Sequence, residues 1–104
     1  MPNRNDKNWI RLCAAVDGFS LRFDAWPTRV RMYPGCLTNL RDHLFTDTSY
    51  SQLLSKIELV PDEASMVAEN DAGQSYDYGK EGFSHPRPET RAVDWFGVRP
   101  DRDE

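Results

Sequence analysis

Reactive side chains are scarce in this chain. Two cysteines and two histidines stand in 104 residues. Cys13 and Cys36 are too few for a disulfide framework. With His43 and His85 they form no C-x-x-C, H-x-x-x-H or H-E-x-x-H spacing, so no metal is expected. Glycine-rich phosphate loops are missing too: neither G-x-G-x-x-G nor G-x-x-x-x-G-K-[ST] occurs, and no serine sits in G-x-S-x-G. The sequence therefore assigns no catalytic residue, no metal ligand and no cofactor. Long apolar runs are absent as well, and none approaches the roughly 18 residues of a membrane helix. The polar start, Met1 to Lys7, has no apolar segment behind it, which reads as a cytoplasmic chain without a membrane partner.

What is present is enough for one fold. Hydrophobic residues make up 38% and charged residues 29%, which is a globular balance. Three Trp, four Tyr and five Phe can fill one core. The net charge of −4 is unevenly spread. Residues 1–56 carry eight Lys/Arg against five acids, a net of +3, and residues 57–104 carry five against twelve, a net of −7. Such a split steers a charged partner, or it marks the last 20 residues as a solvated tail; the tail is the plainer expectation.

Apolar residues at Trp9, Leu12, Cys13, Val16, Phe19 and Phe23 step by three and four, which predicts a helix over 8–23, capped by Asn5 or Asp6. Gly18 inside it weakens the helix and admits a close neighbour. Pro27 ends the segment. Residues 28–33 then alternate: Arg29, Arg31 and Tyr33 face one way, Val30 and Met32 the other, a half-buried strand. A helix is expected from Cys36 to Phe45, then a second through Ser55 capped by Asp47 or Thr48. KIELV (56–60) reads as a strand, and residues 65–79 as a hairpin turning at Asn70–Gly73. The fold class is α+β: a two-layer sandwich with a mixed sheet of about four strands and helices on one face, in the order α-β-α-α-β-β-β plus a tail. Residues 1–79 form the expected domain. Residues 80–104 form a C-terminal extension with a short helix near 88–96, either docked on the domain or left as part of a solvated tail.

Three functions are weighed. The first is a non-enzymatic protein-binding module of the adaptor, inhibitor or immunity type, whose partner is an unknown protein or a second copy of the chain. Its candidate surface is Trp26, Arg29, Arg31 and Tyr33, with Trp95 and Phe96 as a second anchor, because exposed aromatics and arginines dominate interfaces. The second is a small-molecule-binding domain or minor enzyme with a cleft near Cys36 and His43. A thiol at a helix start is activated by the dipole, but His43 lies about 10 Å further along the same helix and cannot serve it. The third is a single-stranded nucleic-acid binder through Arg29 and Arg31. Two arginines neutralise about two phosphates, too few for binding in physiological salt, so nucleic acid is not the expected partner. Arginines on an open strand face more simply pair with Glu58 or other acids on neighbouring strands.

Overall fold

The structure, a computed structural model, describes residues 7–64, 66–81 and 90–101. The expected Asn5 or Asp6 cap, His85 and the proline start of the last helix lie outside them. Helix α1 (Lys7–Phe23) is followed by strand β1 (Arg29–Met32), helix α2 (Pro34–Asn39) and a π-helical turn (Leu40–Leu44). Helix α3 (Asp47–Leu54), strands β2 (Glu58–Pro61), β3 (Val67–Glu69) and β4 (Ser75–Asp77), and helices α4 (Tyr78–Glu81) and α5 (Thr90–Phe96) complete it. The strands form one mixed sheet in the order β2-β1-β3-β4, with β1 parallel to β2 and antiparallel to β3. The expected order and layering are those of the structure. Among the described residues no helix is long and apolar enough to cross a membrane.

The core lies between the sheet and α1. Val30, Met32, Ala68 and Tyr76 turn inward from β1, β3 and β4. Helix α1 meets them with Leu12, Val16 and Phe19, all fully buried. It is more enclosed than its apolar stripe suggests, since residues 12–20 are buried without interruption. Small residues (Ala14, Ala15, Gly18 and Ser20) let neighbours close on its other sides. Tyr76 takes the space over Gly18, where a Cβ would overlap its Cε1 and Cζ atoms. The Arg22 guanidinium lies 5.0 Å from the centre of the same ring.

Local chemistry moves several boundaries. The single helix expected over Cys36–Phe45 is divided. It starts at Pro34, whose missing N–H suits a first turn, and widens to a π turn at Leu40 that places Leu40 and Leu44 in the core. Cys36 is therefore inside α2 rather than at its start. The cap of α3 is Thr46, not Asp47 or Thr48. Thr46 Oγ1 accepts from the Ser49 backbone N–H and Ser49 Oγ accepts from that of Thr46, a reciprocal capping box one residue earlier than expected. Tyr78 leaves the strand for α4, so the hairpin is shorter than 65–79. Its turn holds Gly73 at a φ of +85°, the left-handed position expected there.

The last described segment is not a solvated tail. Ala92, Val93 and Phe96 of α5 are buried in the main core. Beyond α5 the Asp101 N–H donates to the Leu44 carbonyl at 2.9 Å. The Asp101 carboxylate accepts from the Thr46 N–H, the Thr46 hydroxyl and the Ser49 hydroxyl, the last at 2.6 Å. It sits at the N-terminus of α3, where a negative charge is favoured. The Ser49 hydrogen bond, followed by those from Thr46, holds the Asp101 carboxyl below its ordinary pKa. A lowered carboxylate stabilises the fold above its ordinary value and ceases to do so as pH falls through the native one. Asp101→Ala should therefore cost about 1 kcal/mol near neutral pH, at the low end for charged hydrogen bonds because the group is exposed. The gap between variant and parent should close as pH drops below about 4, which urea unfolding at two pH values measures.

Candidate functional site: the outer face of the sheet

Strand pairing sets the outer face. Val30 and Met32 are buried, so Arg29 and Arg31 point away from the core. Register then aligns two outward rows. The first is Glu58, Arg29, Glu69 and Ser75; the second is Val60, Arg31, Val67 and Asp77. The arginines are on β1, one of the two inner strands, and Glu58 and Asp77 stand on the two edge strands.

A continuous chain of ion pairs runs across these rows. Glu69 receives both arginines: Arg29 Nε lies 2.6 Å from Oε2 and Arg31 Nε lies 3.0 Å from Oε1. Arg29 Nη1 reaches Asp71 at 2.9 Å and Arg31 Nη1 reaches Asp62 at 3.1 Å. The order is Asp71–Arg29–Glu69–Arg31–Asp62. The expected strand-to-strand pairing holds in kind, with a different acid. Glu58 is opposite Arg29 on the parallel side, but the hydrogen-bonded partner is Glu69 on the antiparallel side. The Arg29 hydrogen bond keeps the Glu69 carboxyl below its ordinary pKa, and the Arg31 hydrogen bond does the same for Asp62.

Two hollows flank the chain. One of about 300 Å³ is lined by Arg29, Glu69, Asn70, Asp71, Gln74 and Ser75, with Gly73 at its edge. The other, about 400 Å³, is lined by Arg31, Glu63, Val67, Asp77 and Lys80 among others. A third hollow of about 510 Å³ lies elsewhere, between α3 and the segment after α5, with Gln52, Val93, Val98 and Arg99 on its walls. None of the three is lined by Cys36 or His43. Cys36 is half-buried in α2, and His43 is exposed in the π turn. Among the described residues, no three His, Cys, Asp or Glu side chains are grouped to hold a metal ion.

The other singled-out residues fall into separate places. Trp26 and Trp95 are stacked with centroids 4.7 Å apart and planes within 5°, and the Arg91 guanidinium lies 5.6 Å from the Trp26 ring centre. Both rings keep part of their surface in water. Phe96 is only 2% exposed and lies 5.5 Å from Trp9 and 5.2 Å from Trp95. It belongs to the core. Tyr33 is 48% exposed just past β1, and its carbonyl accepts from Cys36 and Leu37 at the start of α2. The structure thus joins Arg29 with Arg31, and Trp26 with Trp95. Reading the sequence missed Glu69, Asp71 and Asp62 as members of the face. No protein-family model, curated protein or solved structure matches the chain.

Proposed function

We propose that this chain is a small protein-binding module, of the adaptor, inhibitor or immunity type, working through the outer face of its sheet. The observation that carries this is the Asp71–Arg29–Glu69–Arg31–Asp62 chain. It fixes two long arginine side chains before any partner arrives. Side chains already ordered lose little freedom on association, which favours binding. Val60 beside Arg31 is partly exposed and adds apolar area to the same face, whereas Val67 on the other side of Arg31 is buried. The tool for testing this is a bulky residue on the face. Ser75 is exposed on edge strand β4, in the first outward row, so Ser75→Trp should fold normally. In affinity capture from the native host, an identified partner held by the parent chain should be lost with Ser75→Trp. It should be kept with Lys56→Glu, outside the sheet. Equal retention by all three chains refutes the proposal.

A further inference from the structure

We infer that the partner segment received by this face is cationic, a stretch of protein bearing lysine or arginine. The inference rests on the docking reading above and adds the partner's charge to it. The two arginines that look like the face's character are outnumbered. Among the described residues, Glu58, Glu69, Asp77, Asp62 and Asp71 stand around Arg29 and Arg31, two cations against five carboxylates and a net of −3. Adding the hollow's rim brings in Lys80 and Glu63 and leaves the net unchanged.

The pairing geometry sharpens the point. Both arginines are already turned onto carboxylates, each through Nε and Nη1. Glu58 and Asp77 enter no ion pair among the described residues, and they mark opposite edges of the face. Asp71 is 81% exposed and gives one oxygen to Arg29, while Asp62, 48% exposed, gives one oxygen to Arg31 and the other to the Glu63 N–H. An ionised carboxylate accepts through both oxygens, so acceptor capacity exceeds donor supply across the face. The amide oxygens of Asn70 and Gln74 in the hollow beside Arg29 are already engaged, Gln74 Oε1 by the Asn70 amide at 2.9 Å and Asn70 Oδ1 by the Ala72 and Gln74 N–H groups, so the open acceptor there is the Asp71 carboxylate. A lysine or arginine entering either hollow meets carboxylates that still accept. An acidic peptide or a polyphosphate strand meets like charge, which costs binding free energy. A second copy docking face to face would set −3 against −3, so a symmetric homodimer through this face is disfavoured. The lowered carboxyl pKa values of Glu69 and Asp62 keep the negative pattern in place through mildly acid pH.

The test uses the full chain labelled with ¹⁵N and three probes: a Lys/Arg-Gly peptide of about a dozen residues, its Glu-Gly counterpart, and an oligothymidylate of similar length. The cationic peptide should shift the amides of Arg29–Met32, Val67–Glu69 and Ser75–Asp77. Its affinity should fall several-fold between low salt and roughly 0.3 M. Combined Glu58→Gln, Asp71→Asn and Asp77→Asn should weaken it about tenfold, since rim charges govern encounter more than retention. Asp24→Asn, Asp47→Asn and Asp94→Asn, the same charge change away from the face, should leave it within about twofold. If the triple face variant misfolds, the exposed Glu58→Gln alone carries the comparison. Shifts of these strands by the Glu peptide or the oligonucleotide overturn the cationic assignment and leave the face as a docking surface. No shift with any probe, or equal loss in both triple variants, also overturns the assignment; the docking surface itself then stands or falls with the Ser75→Trp capture.

Discussion

Phe96→Ala is expected to cost about 3–5 kcal/mol, the usual range for emptying a buried aromatic site. The residue sits in a segment rich in charge and proline, eight positions from the C-terminal end of the sequence. Position along the chain predicts tolerance there. Burial predicts the opposite. The Phe96 ring is 2% exposed and is one link in a run of aromatic contacts: Trp26 on Trp95, Trp95 on Phe96, Phe96 on Trp9 and Trp9 on Phe45. A domain of this size has about 5–15 kcal/mol in total, so the variant should lose at least 12 °C or so of melting temperature. Urea unfolding followed by tryptophan fluorescence measures it directly. If α5 is dispensable, the loss will stay within about 0.5 kcal/mol, as for a surface substitution. Trp95→Ala should be milder, because Trp95 is only half-buried and loses mainly its stack on Trp26.

Gly18→Ala should destabilise the chain by about 2 kcal/mol although alanine is the better helix former. Propensity alone favours the change by about 1 kcal/mol. The new methyl, however, lands on Tyr76, whose ring is 4% exposed and has Arg22 against it. To make room, α1 must lift from the sheet or Tyr76 must leave its place between them. A double-mutant cycle separates the two effects. In a Tyr76→Ala background the clash is gone, so Gly18→Ala should become neutral or stabilising by up to about 1 kcal/mol. Additive losses in the two backgrounds would show that the glycine answers to something other than the tyrosine.

These two positions show how far pattern reading reaches. Steps of three and four from Trp9 to Phe23 specified α1 and its inward face, because a helix repeats every 3.6 residues whatever it packs on. They could not specify what closes the other sides. The neighbours come from residues 66–81 and 90–101, remote in sequence. Gly18 was legible as a weak point that admits a close neighbour, but not which neighbour: its tyrosine lies 58 positions later. The charge split of the second half suggested a solvated tail. Ala92, Val93 and Phe96 overrule it, since three apolar side chains on one short helix outweigh the charges between them.

The outer face was partly legible. Alternation along residues 28–33 was sufficient to turn Arg29 and Arg31 outward, because a strand has a period of two. Their acid partners were not legible. Glu58 and Glu69 were both available, and choosing between them needs the strand order. Once β1 lies between β2 and β3, the ladder places Glu58 on one side of Arg29 and Glu69 on the other, and Glu69 sits within reach of both arginines. The capping of α3 shows the same limit at short range. The stop near 46–48 was plain in Thr-Asp-Thr, yet the expected caps were Asp47 or Thr48, and it is Thr46 that caps, with Asp101 hydrogen-bonded to it across 55 positions.

By itself, then, the order of residues determined the elements, their order and which side of each is apolar, because those depend on backbone periodicity and on neighbours a few positions apart. The tertiary structure alone decided which acids hold the arginines, that α5 and Asp101 belong to the body of the fold, and that, among the described residues, acids outnumber the two conspicuous arginines on their face. Each of these is set by groups roughly 30 to 90 positions apart, brought together only when sheet and helices close on a common core.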